Sequence, residues 1–140
     1  MYDRMEAVAD AIMSFEGWYA GSRSNRNRNP GNLRNTSLPH TLDPDQYAVF
    51  KEFIGGYNAL MRDLRDKFLG YTKTGLGPES TLLDLFEKYA PADDANAPVI
   101  YASFVAQWIS RALGEHFTMA SKLKEIWPED AVDLSDIQEE

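Results

Sequence analysis

Apolar residues recur every three or four positions in five segments of the chain, a spacing typical of helices that bury one face. The first segment predicts a helix over residues 4–16, with Asp3 as a capping residue, Glu6 as its capping-box partner and Gly17 as the stop. Its apolar positions are Met5, Val8, Ala9, Ile12 and Met13.

Two further helices are predicted in the middle of the chain. One follows the glycines at 55–56 and ends near residues 72–79, which are rich in glycine and threonine. The next is short: Thr81 and Asp84 form a capping-box pattern at its start, and Pro91 ends it. The inward positions of the two helices are Tyr57, Leu60, Met61, Leu64 and Phe68, then Leu82, Leu85, Phe86 and Tyr89.

A fourth and a fifth helix are predicted in the C-terminal half of the chain. The fourth closes at Gly114, where the helical stripe stops. Its stripe consists of Tyr101, Phe104, Val105, Trp108, Ile109 and Ala112, and that of the fifth consists of Met119, Leu123, Ile126 and Trp127. These residues are expected to form core rather than a binding surface, except that Tyr101 is placed to reach a cleft.

The segment between the first two helices is polar. Residues 20–46 have no apolar period and are rich in Ser, Arg, Asn, Pro and Gly, whereas residues 47–50 predict a strand. The fold class is therefore mainly α, of the α+β type, with about five helices and a small β-hairpin lobe after helix one. A domain over residues 1–127 and a flexible acidic tail over 128–140 are expected.

Composition limits the function classes. The 140 residues are 44% hydrophobic and suit one domain, and the net charge of −8 is concentrated in the last thirteen residues, which hold six acids. Without cysteine, disulfides and thiolate metal sites are excluded. No signal peptide or bilayer-spanning stretch is recognised, so we expect a soluble, monomeric protein that is made in the cytoplasm and binds no membrane.

Glu16 is the leading candidate for chemistry. It lies four residues after Ile12, so it continues the apolar stripe of the first helix as a carboxyl group. A core-facing position and the negative pole of the helix dipole both favour retention of a proton, as a general acid requires. The alternative is a structural salt bridge with Arg23 or Arg34, or exposure to water at a frayed helix end.

The loop that follows suits a carbohydrate. Asn29 and Asn32 flank a Pro-Gly turn and offer both hydrogen-bond donors and acceptors. Arg34 adds a planar, charged guanidinium group. Together with Trp18 beside the helix end, these groups match the hydroxyl and amide groups of a sugar. They form the candidate binding site.

Four pieces of the chain, "SFEGWYAGSRSNRNRNPGNLR", "YAVFKEFIGGYNALMRDL", "TLLDLFEKYAP" and "YASFVAQWISRALG", resemble phage and prophage peptidoglycan hydrolases with a lysozyme-like fold. The resemblance covers about residues 5–114, and the order of the pieces is also similar to lytic transglycosylases and flagellar-type glucosaminidases. It implies glycan-strand cleavage in peptidoglycan without a cofactor or metal, at the wall after phage-mediated or other export, or within a virion. It implies Glu16 as the catalytic residue and places Tyr89 on the cleft wall. Together with the candidates drawn from the residues themselves, the expected substrate-binding residues are Trp18, Asn29, Asn32, Arg34, Tyr47, Tyr89 and Tyr101.

A second catalytic carboxylate is not defined by the sequence. Asp43 and Asp45, just before the predicted strand, are the best candidates, although both also suit ordinary turn chemistry. If neither serves, Glu16 acts alone, first as acid and then as base, with a hydroxyl group of the substrate as the nucleophile. The sequence does not show which glycosidic bond is cut.

The sequence argues against two other kinds of site. The arginines between Arg23 and Arg34 suggest a nucleic-acid surface, but the overall acidity and the lack of interleaved aromatic residues argue against nucleic-acid binding. His40 and His116 are isolated and predict no metal site. A non-catalytic virion or cell-wall binding component with the same fold remains the alternative, because an acidic protein gains no attraction to an anionic wall.

Overall fold

The computed structural model describes residues 3–89 and 97–128. The described helices are α1 (Arg4–Phe15), α2 (Arg23–Arg26), α3 (Phe53–Leu69), α4 (Leu82–Tyr89), α5 (Ala97–Leu113) and α6 (Leu123–Ile126). Between α2 and α3, β1 (Thr41–Leu42) and β2 (Ala48–Val49) pair antiparallel, with Thr41 opposite Val49. The predicted mainly helical class with a small sheet after the first helix is confirmed. The stop at Pro91 and the acidic tail lie outside the described residues.

Helix α1 is the centre of the main core. It packs against α5 and α3, and most of its apolar side chains are fully buried. Gly17 has φ +82°, which ends the helix as predicted because glycine enters this region without steric cost. The expected side-chain cap at Asp3 is wrong: its side chain makes no capping hydrogen bond, and only its carbonyl oxygen accepts from Ala7 N–H at 3.1 Å.

The start of α4 confirms the capping box. Thr81 N–H donates to Asp84 Oδ2 at 2.9 Å, and Asp84 N–H donates to Thr81 Oγ1 at 3.1 Å. Helix α4 then packs against α5, burying Leu82, Leu85 and Phe86.

The C-terminal half corrects two expectations. The fifth predicted helix is only the four-residue α6. On α5, Trp108 and Ala112 were expected in the core but are exposed; Trp108 contacts Phe104 of the same helix, with ring centroids 6.0 Å apart. Among residues 3–89 and 97–128, no helix is both long and apolar enough to cross a membrane.

Helix α3 begins earlier than predicted, so residues 55–56 lie in its first turn rather than before it. At this turn of the helix, another segment of backbone comes close. A Cβ atom on Gly56 would lie 1.9 Å from the carbonyl oxygen of Arg28, and one on Gly31 would lie 2.7 Å from Leu60 Cδ1. These two glycines let the turn at residues 28–32 pack directly on α3.

The polar segment folds into a small lobe with a core of its own. That core consists of Leu33, Leu38, Ala48, Phe50 and Ala59. Only Ala48–Val49 of the strand predicted over 47–50 pairs with β1. The backbone on either side of Ala48–Val49 forms hydrogen bonds with the loop instead. Phe50 N–H, for example, donates to Asn27 O at 2.9 Å.

Candidate functional site

A cleft of about 540 Å³ separates the small lobe from the ends of α1, α3 and α4. Its walls include Glu16, Asn32, Arg34, Tyr47, Asp63 and Tyr89. Five of these six were predicted as site residues, and they come from segments far apart in the sequence. A second cavity, of about 570 Å³, lies beside His40 and Phe50 and contains no predicted site residue.

Glu16 is held from two sides at the end of α1. Its backbone N–H closes the helix by donating to Ile12 O at 2.9 Å, and its side chain is half-buried. Tyr101 Oη donates to Oε1 at 2.9 Å, and Asn32 Nδ2 donates to Oε2 at 3.2 Å. Neither Arg23 nor Arg34 pairs with Glu16, so within the described residues the salt-bridge alternative is not observed.

Tyr101 is a fixed hydrogen-bond donor to the carboxyl group. Its ring is stacked on Phe15 with centroids 4.0 Å apart and on Phe86 at 4.2 Å. Burial raises the pKa of the Tyr101 hydroxyl well above its usual value, and the charge of Glu16 raises the pKa further. The hydroxyl therefore keeps its proton at neutral pH and orients the Glu16 carboxyl group.

Asn32 reaches Glu16 because of an unusual backbone conformation. Its φ of +48° lies in the left-handed region, which asparagine tolerates better than most residues. Since a carboxylate only accepts hydrogen bonds, Nδ2 must face Glu16. Asn32 Oδ1 is then left buried without a partner among the described residues, so a donor group on a ligand would satisfy it.

Asp63 is a cleft carboxylate that the sequence reasoning missed. Tyr89 Oη donates to Asp63 Oδ2 at 2.5 Å, and Lys67 Nζ lies 2.7 Å from the same oxygen. Burial first, and then the charge of Asp63, raise the pKa of Tyr89 well above its usual range, so Tyr89 also stays protonated. In the sequence, Asp63 and Lys67 have the i,i+4 spacing of an ordinary solvated ion pair on a helix. No local pattern distinguishes them from such a surface pair.

The two candidates for a second catalytic carboxylate have structural roles. Asp43 Oδ1 accepts from the N–H groups of Asp45 and Tyr47, both at 2.9 Å. A hydrogen bond from Asn27 is the main cause that lowers the pKa of Asp43. Asp45 is exposed and pairs with Arg23 at 3.2 Å. Neither aspartate lines the cleft, which agrees with the turn chemistry weighed above.

Three predicted binding residues do not line the cleft: Asn29, Trp18 and Tyr101, which is buried and donates to Glu16. Asn29 is fully buried: Nδ2 donates to Leu33 O and Ala48 O, and Oδ1 accepts from Leu33 N–H, all at 2.9 Å. This residue ties the turn to β2, so the structure gives it a structural role instead. Trp18 packs edge-on against Phe53, with centroids 5.3 Å apart, and is not part of the cleft wall.

Asn29→Ala is therefore expected to act on stability. Losing the amide leaves buried backbone groups without partners, which costs about 2 kcal/mol in the free energy of unfolding. Urea unfolding followed by circular dichroism measures this loss, and Asn35→Ala, at an exposed position of the same loop, is the control. Equal stability of the two variants would show that the Asn29 amide does not hold the turn.

Among residues 3–89 and 97–128, no three histidine, aspartate or glutamate side chains form a group that could hold a metal ion. Comparisons with known proteins add no identification. No protein-family model matches the chain, and neither the curated proteins nor the solved structures contain a match. What the site can do is therefore argued from its own geometry.

Proposed function

We propose that this protein cleaves the glycan strands of peptidoglycan, with Glu16 as general acid and then general base. The observation that carries the proposal is the setting of Glu16: a half-buried carboxyl group beside an open cleft, positioned by Tyr101 and Asn32. Two donors that fix the orientation of one carboxyl group at a cleft wall suit its use in proton transfer to and from a substrate. The resemblance of the quoted segments to peptidoglycan hydrolases supports the same assignment.

The arrangement of the carboxylates favours a mechanism with one acid. Asp43 and Asp45 lie outside the cleft, and Asp63 already accepts from Tyr89 and Lys67. Glu16 would protonate the leaving glycosidic oxygen as the bond to the anomeric carbon breaks. Its carboxylate would then remove the proton from a hydroxyl group of the same sugar as that oxygen bonds to the anomeric carbon. This is the chemistry of a lytic transglycosylase.

Analysis of the reaction products tests this proposal. Purified peptidoglycan is incubated with the protein, and the released fragments are measured by mass spectrometry. Intramolecular attack gives anhydro sugars, which are lighter by one water than the products of hydrolysis. We expect anhydro products; reducing ends alone would assign a hydrolase, and no released fragment would rule out the enzymatic proposal.

A cell-wall or virion binding component without turnover is the second candidate. The net charge of −8 favours it, because an enzyme that works on an anionic wall usually gains from positive charge. Sedimentation with insoluble peptidoglycan distinguishes the two. A protein that pellets with the wall but releases no fragment is a binding component.

Asn32→Gly is expected to lower activity more than stability. Glycine keeps the left-handed backbone at this position but removes the amide that donates to Glu16. We expect a roughly tenfold loss of fragment release, the cost of one charge-assisted hydrogen bond. Asn32→Ala also strains the backbone and should melt at a lower temperature than Asn32→Gly. Full activity of the glycine variant would show that the amide does not position Glu16.

A further inference from the structure

The charge of the cleft differs from that of the whole chain. The chain has a net charge of −8, yet among residues 3–89 and 97–128 four cationic and two anionic side chains line the cleft. The cations are Arg23, Arg34, Lys67 and Lys88, and the anions are Glu16 and Asp63. A cleft with this excess of positive charge attracts anionic ligands even on an acidic protein.

Three of the cleft residues form a compact cluster on the lobe side, which we call the Arg–Tyr–Arg cluster: Arg23, Tyr47 and Arg34. The guanidinium carbon of Arg34 lies 4.0 Å from the centre of the Tyr47 ring, and that of Arg23 lies 4.3 Å away. Contact with one aromatic ring holds both planar cations in place without using their N–H donors.

Most of those donors are unused within the described residues. Arg23 Nη2 donates to the exposed carboxylate of Asp45 at 3.2 Å, and Arg34 Nη1 donates to the backbone oxygen of Asp45 at 2.9 Å. Among residues 3–89 and 97–128, no other hydrogen bond to either guanidinium group is present, and Arg23 Nε is buried without a partner. Each guanidinium carries five N–H donors, so Arg34 retains the adjacent Nε and Nη2 donors that bind a carboxylate side-on, and Arg23 retains its Nη1 donors.

We propose that the Arg–Tyr–Arg cluster is a subsite for a carboxylate carried by the glycan strand. The inference rests on the proposed function, because it takes the strand that Glu16 cleaves to be the ligand. Peptidoglycan carries carboxylates on the lactyl ether of its muramic acid units and on its stem peptides. Arg23 and Arg34 would bind such a group while the sugar chain occupies the cleft beside Glu16, so charged strands are bound in preference to neutral ones.

Calorimetric titration of four probes tests the subsite. The protein carries Glu16→Gln so that the probes are not consumed. The probes are fully N-acetylated chitotetraose, a peptide-free tetrasaccharide with free lactyl carboxylates, its methylamide derivative without charge, and the same tetrasaccharide with stem peptides attached. The chitotetraose and the methylamide derivative are neutral. The peptide-free tetrasaccharide tests the lactyl carboxylates, and the tetrasaccharide with stem peptides tests the carboxylates of the peptide.

We expect at least one carboxylate probe to bind roughly tenfold more tightly than the neutral probes, as charge-assisted pairing with arginine predicts. Arg23→Gln and Arg34→Gln should each remove most of this preference, so that the charged and the neutral probes bind with similar affinity. Arg26→Gln is the matched control, because Arg26 is exposed on the same short helix as Arg23 and does not line the cleft. It should keep the preference in full.

The outcomes separate this inference from the proposed function. Equal affinity for charged and neutral probes would overturn the carboxylate subsite and leave glycan cleavage standing. No binding to any glycan, together with intact folding, would overturn both. Tight binding of a single-stranded oligonucleotide in place of the glycans would also overturn both, since the cluster would then serve phosphate groups.

Discussion

Glu16→Gln is expected to lower the release of peptidoglycan fragments by at least about 100-fold, the lower bound for removing a general acid or base. Glutamine keeps the size of the side chain but has no proton to give to the glycosidic oxygen. It also cannot serve as a base in the second half of the reaction. Both steps assigned to Glu16 are lost together.

The variant should fold as well as the wild type. Its amide oxygen can still accept from Tyr101 Oη, which donates to Glu16 in the wild type at 2.9 Å. Its amide nitrogen would face Asn32, whose Oδ1 has no partner among the described residues. Rotation of the Asn32 amide turns that oxygen toward the new donor. We therefore expect the free energy of unfolding to change by less than about 1 kcal/mol.

Loss of turbidity in a peptidoglycan suspension measures the activity, and thermal unfolding measures the stability. Glu87→Gln is the matched control: Glu87 is exposed on α4, outside the cleft, and the variant loses the same charge. It should retain wild-type activity. A fully active Glu16→Gln protein would contradict the assignment, as would an equal loss of activity in the control.

The helices and the place of Glu16 follow from local sequence patterns. The apolar stripe of α1 leads to Glu16 at its end, and the Thr81–Asp84 pair fixes the start of α4. Both patterns act over three or four residues, so the sequence displays them directly. The fold class and the position of the leading candidate could therefore be predicted.

The rest of the site depends on contacts between segments distant in the chain. Asp63 meets Tyr89 only because α3 and α4 both reach the cleft, and Arg23 meets Arg34 only across Tyr47. Asn29 has the same local signature as Asn32, yet one is buried in the lobe and the other reaches Glu16. No local pattern separates such residues, because tertiary packing decides which side chain faces the cleft.

Gly56 shows how packing of the lobe and the geometry of the site are linked. A helix normally disfavours glycine, yet Gly56 in the first turn of α3 lies where the carbonyl oxygen of Arg28 comes close to the helix. The turn that includes Arg28 continues to Asn32, which donates to Glu16. The lack of a side chain at Gly56 therefore determines the position of the Asn32 amide.

Gly56→Ala is expected to destabilise the protein by about 3 kcal/mol, the upper end for forcing an extra methyl group into a packed interior. The new Cβ atom would lie 1.9 Å from backbone oxygen, so the turn must move away from α3. The unfolding midpoint should fall by several degrees, and activity should fall too because Asn32 moves with the turn.

Gly77→Ala is the control for this substitution. A Cβ atom on Gly77 would meet only the Cα atom of Gly70, at an ordinary 3.7 Å, so this variant should melt close to the wild type. Thermal unfolding of the two variants, with fragment release measured well below both midpoints, separates instability from displacement of the site. If Gly56→Ala matches Gly77→Ala in stability and activity, the turn does not depend on this contact for its position, and the proposed link between the lobe and Glu16 is wrong.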